Sequence, residues 1–164
     1  MLSLIKLALK KKTPLPAATP QVGEPALVIA LMERLFSALV DTHDFRKGID
    51  QSQGWHLRHQ DNGALVGLNP KLSATAVLTE QTAVVTLGHY TSWTLSQSVF
   101  TEWAEGHGLR TSDWNVMDGV TTCTAPVGPT VNLVFEFLDV KDVDILPGTT
   151  MDGCILRMSL ASAG

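Results

Sequence analysis

Signatures of catalysis and of nucleotide binding are missing from this sequence. It has no G-x-S-x-G nucleophile elbow, no G-x-x-x-x-G-K-[ST] phosphate loop and no G-x-G-x-x-G dinucleotide turn. Its tryptophans are not interleaved with basic residues, as they are in platforms that bind single-stranded nucleic acid. We therefore predict no catalytic residue and no cofactor, and we expect the tryptophans to anchor the core and interfaces.

Charged residues and cysteines are also scarce. Only 17% of the residues are charged, against about a quarter in an average soluble domain, so neighbouring subunits could cover part of the surface. The two cysteines, Cys123 and Cys154, have neither CxxC nor zinc-site spacing. Both fall in predicted strands, and we predict that they are small buried hydrophobic residues. A disulfide between them would require those strands to be neighbours.

Long apolar runs are absent. No stretch of 18 apolar residues occurs, which predicts that the chain does not span a membrane. The first lysines follow an apolar stretch, whereas in a secretion signal they precede it. We therefore expect a virion or cytoplasmic location.

The first 23 residues form a segment of their own. Residues 1–12 predict a short helix that is apolar except for one polar stripe. Residues 13–23 contain three prolines and predict an extended tether of up to roughly 35 Å. A helix of about 12 residues is marginal alone in water, so we expect this arm to bind another subunit. The predicted interface residues are Leu2, Leu4, Ile5, Lys6, Leu9, Lys10, Lys11 and Lys12.

The charge distribution indicates the kind of partner. Four of the twelve basic residues lie in the arm, so residues 13–164 carry eight basic groups against sixteen acidic ones. An acidic body repels phosphate backbones, which makes nucleic acid an unexpected primary partner. The four lysines suit an acidic surface on a sister subunit. Contact with nucleic acid or anionic lipid is the alternative.

Residues 24–164 predict a single α+β domain with an antiparallel or mixed sheet and two helices on one of its faces. The first helix runs from Pro25 to about Asp41. The second runs from about Leu95 to Gly106, with a capping box at Thr94 and Gln97. Asn62-Gly63 predicts a type I′ hairpin turn. The alternating patterns beyond the first hairpin predict five strands, at 73–79, 82–88, 116–124, 130–138 and 153–160, with an acidic loop at 139–150.

The histidines and acidic residues do not indicate a metal site. His56 and His59 are three positions apart in a strand, where odd separations place side chains on opposite faces. His43 lies between Asp41 and Asp44, a pattern that a solvated helix end also produces. The acidic loop lacks the calcium-binding pattern and its terminal glutamate. We predict no metal ligand.

These observations favour a non-catalytic subunit of a larger oligomer over an enzyme. The order helix, strands, helix, strands suggests a virion component, of the tail-completion kind found in phage tails or necks, by analogy of fold. The alternative is a small enzyme or ligand-binding domain with a site between sheet and helices. That site would use His56, Arg58 or His89 together with an acidic residue.

Overall fold

The computed structural model describes residues 24–162. The predicted arm and tether, including all eight predicted interface residues, lie outside the described residues. The described part is α+β, with an eight-stranded antiparallel sheet and two helices. None of its helices is long and apolar enough to cross a membrane.

The first helix, α1, spans Pro25–Thr42, as the sequence predicts. Proline fits the first helical position because its missing N–H would have no partner there. The helix ends at His43, which adopts the left-handed conformation with φ 59°. Two short 3₁₀ segments follow, Phe45–Gly48 and Gln51–Gln53.

The second helix, α2, has three consecutive segments: Ser92–Thr94, a π-helical stretch at Leu95–Phe100, and Thr101–Gly106. The predicted start at Thr94 is wrong. The N-cap is Thr91, whose hydroxyl accepts a hydrogen bond from the Thr94 N–H at 3.1 Å. Thr94 itself has helical backbone angles, so it cannot take the extended conformation of an N-cap.

The sheet has the order β1-β2-β3-β4-β8-β7-β6-β5, and every neighbouring pair is antiparallel. Strands that follow one another in the chain are neighbours, except for β4 and β5, and β8 lies between β4 and β7. The strands are β1 His56–His59, β2 Leu65–Asn69, β3 Ala74–Leu78, β4 Thr82–Gly88, β5 Asn115–Met117, β6 Val120–Gly128, β7 Val131–Leu146 and β8 Thr149–Ser162.

Two turns differ from the prediction. The hairpin at Asn62-Gly63 forms, but Gly63 alone has a positive φ there, of 89°, so the turn is not type I′. In contrast, Asp118 and Gly119 both have positive φ, 54° and 81°, and join β5 to β6 as a two-residue turn. The strand predicted at 116–124 is therefore a hairpin, because Asp-Gly is also a favoured dipeptide for type I′ turns.

The predicted acidic loop at 139–150 is wrong as well. β7 and β8 continue through this region as a paired hairpin and are joined at Pro147-Gly148. Aspartate disfavours strands, but here cross-strand pairing outweighs that preference. Two register shifts, between Val140 and Val143 and between Asp144 and Leu146, accommodate the extra residues as bulges.

The core joins the helices to alternate residues of the strands. Phe135 and Phe137 pair with Met158 and Leu156, as the alternation predicts, and all four side chains are buried. Phe100 of α2 packs on Phe135, with ring centroids 4.4 Å apart. The aromatic cluster continues from α2 to α1 through an edge-to-face contact of Trp103 with Phe36, so one core unites sheet and helices.

Replacing Phe135 with Ala is expected to lower the free energy of unfolding by about 3–5 kcal/mol, because it empties a fully buried site. The matched control is Val134→Ala, one position away on the opposite face, which should cost about 1 kcal/mol or less. Urea unfolding of both variants measures the difference. Equal costs would contradict the observed register.

Both cysteines are buried, as predicted, and neither forms a disulfide, because β7 separates their strands. Burial raises the pKa of the Cys123 thiol. Burial, with Asp139 nearby, raises the pKa of Cys154 to about 12. Because the thiolate is the reactive form, iodoacetamide at pH 8 should modify neither cysteine in the folded protein and both after denaturation. Mass spectrometry counts the adducts, and rapid modification of folded protein would contradict this assignment.

Candidate protein interface

The hairpin of β7 and β8 extends past its neighbours in the sheet. β6 pairs with β7 only as far as Leu138, and β4 pairs with β8 only as far as Gly153. Residues 139–152, which we call the distal hairpin, therefore have no further strand beside them within the described chain. The Asp152 carbonyl, next to the end of the β4–β8 ladder, accepts a hydrogen bond from the His89 N–H.

Asp139 attaches the base of the distal hairpin to α2. Its carboxylate accepts hydrogen bonds from the Ser92 N–H at 2.6 Å and from the Ser92 hydroxyl at 2.9 Å. A carboxylate at a helix N-terminus satisfies a free N–H group and interacts favourably with the helix dipole. Asp152, on β8, accepts a hydrogen bond from the Asp142 N–H at 3.0 Å. Both aspartates thus hold the local fold together.

Two glycines allow the distal hairpin to lie against the end of the sheet. A Cβ at Gly153 would collide with the carbonyl oxygen of Leu87, and one at Gly88 would collide with the sulfur of Met151. Strands β3 and β7 also approach each other there, although β4 and β8 separate them in the sheet. Ile145 is 3% exposed. The distal hairpin therefore extends beyond the neighbouring strands but packs against the end of the sheet.

Exposed apolar side chains surround this hairpin. Trp93, beside Ser92 in the first turn of α2, is 71% exposed, and Met117 at the end of edge strand β5 is 65% exposed. Leu138 immediately precedes the distal hairpin and is 36% exposed. Exposed tryptophan is typical of binding hot spots, so these side chains mark a candidate interface.

The register groups several of these residues into one row. Met117, Val120, Leu138 and Ile155 lie opposite one another on four adjacent strands. Directly paired residues share a face, and this face is opposite to that of Phe137 because side chains alternate along a strand. None of the four belongs to the hydrophobic core of the described residues. We call them the apolar row.

The distal hairpin is strongly acidic. It carries four aspartates and one basic residue, Lys141. The carboxylates of Asp139 and Asp152 accept hydrogen bonds from Ser92 and Asp142, whereas Asp142 and Asp144 are exposed residues. The candidate interface thus combines an acidic tip with an apolar base.

The residues predicted for the alternative enzyme or ligand-binding site do not lie together. His56 and Arg58 are exposed on edge strand β1, while His89 follows β4, beyond β2 and β3 in the sheet. His56 borders an open depression of about 590 Å³, and Arg58 borders a separate one of about 500 Å³. No group of three or more metal-binding side chains occurs among residues 24–162.

Two acidic residues that follow His43, Asp44 and Asp50, have structural partners. Asp44 accepts hydrogen bonds from the Arg46 side chain at 2.9 Å, and this contact holds the pKa of its carboxyl below the usual value. A hydrogen bond from Ser52 likewise lowers the pKa of Asp50, which caps the second 3₁₀ segment. Asp41 lines a shallow groove of about 420 Å³ beside α1. These groups shape the turn after the helix.

No protein-family model matches the chain, and neither a curated protein nor a solved structure matches it. Function is therefore inferred from the geometry of the described residues.

The sequence predicted the acidic residues of the hairpin but not their place in strands, and it missed Trp93 and Met117 as exposed residues. The signals were present, in Thr91 as an N-cap and in Asp118-Gly119 as a turn.

Gly153→Ala should lower the free energy of unfolding by about 1–3 kcal/mol, because the new methyl group meets the Leu87 backbone. Gly128→Ala is the matched control, since a Cβ there meets no atom within 4 Å, and it should change stability by about 0.5 kcal/mol or less. Thermal unfolding distinguishes the two. Equal stability of both variants would show that the hairpin does not pack closely on β4.

Proposed function

We propose that this protein is a non-catalytic structural subunit of a larger oligomer, specifically a virion component of the tail-completion kind from a phage tail or neck. In this proposal both helices cover the face of the sheet that carries Phe135. The other face, the distal hairpin and the exposed first turn of α2 are directed toward neighbouring subunits. The arm of residues 1–12 supplies a further contact. A virion or cytoplasmic location follows from this role.

The exposure of Trp93 and Met117 beside a projecting hairpin is the observation that supports the proposal. A tryptophan that is 71% exposed leaves most of a large apolar surface in water. Burying such a side chain in a partner is favourable by about 25 cal/mol per Å². The acidic tip then restricts which partner fits, because unmatched charges oppose binding.

The composition agrees with this role. A chain with 17% charged residues has fewer charges than the average soluble domain, and interface cores are depleted of charged residues. The tail-completion assignment itself depends on the order of helices and strands, which is an argument from fold analogy.

Trp93→Ser should shift the full-length protein from an oligomer toward the 17.7 kDa monomer. Loss of a hot-spot tryptophan costs about 2 kcal/mol or more, which is roughly thirtyfold in dissociation constant. Val40→Ser is the matched control. Val40 is also an exposed apolar residue, at 54%, but it lies on the other helix, near the C-terminal end of α1. Sedimentation velocity at several concentrations measures the mass, and circular dichroism verifies folding.

Two results would contradict the proposal. One is an unmodified protein that sediments as a monomer at all concentrations and in the presence of its purified neighbours. The other is an oligomer that Trp93→Ser and Val40→Ser weaken equally.

A further inference from the structure

We propose that the arm of one copy binds the distal hairpin of a second copy, with Lys10, Lys11 and Lys12 against its acidic tip and the leucines against the apolar row. This inference depends on the proposed function and names the partner surface within it. The partner of the arm in this proposal is a sister subunit. The experiments below distinguish it from the arm's own hairpin and from a membrane.

The point where the described chain begins lies at the hairpin end of the molecule. The carbonyl of Glu24 accepts a hydrogen bond from the Tyr90 hydroxyl at 2.5 Å. Tyr90 follows His89, whose N–H donates to the Asp152 carbonyl at 3.3 Å. The tether therefore joins the described chain beside the base of the distal hairpin.

Charge complementarity selects the hairpin as the binding surface. The arm carries four lysines and no acidic residue, whereas the distal hairpin carries four aspartates and one lysine. The order of features also corresponds. In the arm, apolar residues 1–9 precede Lys10; in β7, Leu138 of the apolar row precedes Asp142 and Asp144. An arm can thus place its leucines on the row while its lysines reach the aspartates.

The tether favours a second copy over the arm's own hairpin. Eleven residues with three prolines predict an extended tether that spans up to roughly 35 Å. Glu24 lies close to the hairpin base of its own chain, because Tyr90 bonds to Glu24 and the adjacent His89 bonds to Asp152. A tether that can extend this far allows the arm to reach a neighbour, whereas binding to its own hairpin would require the chain to fold back on itself.

Charge reversal tests the pairing in full-length chains. Asp144→Lys should weaken oligomerisation about tenfold at low salt and much less at high salt, where surface charges are screened. The matched control is Asp61→Lys, an exposed acidic residue in the turn between β1 and β2, which should have no effect. Replacing Lys10, Lys11 and Lys12 with Glu should weaken oligomerisation similarly. Combining both reversals should restore much of the affinity.

Cross-linking distinguishes a second copy from the same chain. Lys11→Cys in one full-length chain and Asp144→Cys in another should form a disulfide-linked dimer on mixing, because the native cysteines are buried and do not compete. A chain that carries both substitutions should also link to other copies. An internal disulfide that forms at high dilution would overturn the assignment to a second copy.

Three further results would overturn the proposal. Unchanged affinity in both charge reversals, together with dissociation by Trp93→Ser, would remove the arm contact but leave the proposed function intact. A lysine-to-glutamate variant that keeps its oligomeric mass but loses binding to phosphatidylserine vesicles would assign the lysines to a membrane. An unmodified chain that is always monomeric would contradict the proposed function as well.

Discussion

The pairing of β4 with β8 is the interaction on which the rest of the structure depends. Strands β1 to β4 form one antiparallel unit and β5 to β7 another, and within the described residues β8 is the strand that pairs with both, through β4 and β7. Its register aligns Val85 with Leu156 and so continues the buried row from β4 into β7 at Phe137. Because Gly153 faces Gly88 at the end of this ladder, the same register determines where the hairpin leaves the sheet.

Local patterns in the sequence predict the elements but not their assembly. The alternation of Phe135 and Phe137 and the leucine stripe of α1 correctly identify buried faces, since one buried face imposes a period on its own element. The β4–β8 pairing joins residues far apart in sequence, which no local pattern encodes. The length of β7 was missed because its aspartates resemble a loop and its bulges interrupt the alternation.

The candidate interface was predicted only in part. The arm and its lysines are evident from composition, and the distal hairpin supplies an oppositely charged surface. The place of Trp93 on the helix was not predictable from a helix assumed to begin at Leu95, since that assumption leaves Trp93 in a loop. The Ser92–Asp139 contact explains why the helix starts earlier: a carboxylate from a distant strand satisfies its first N–H group.

The central place of β8 has a consequence for biosynthesis. About 65 residues separate Gly88 from its partner Gly153, and a ribosome that adds about 5–20 residues per second needs roughly 3–13 seconds to make them. During that interval the outer edge of β4, with its valines, has no partner strand. An unpaired strand edge is a template for aggregation, so crowded polysomes translating this chain are expected to depend on chaperones that shield β4 until β8 emerges.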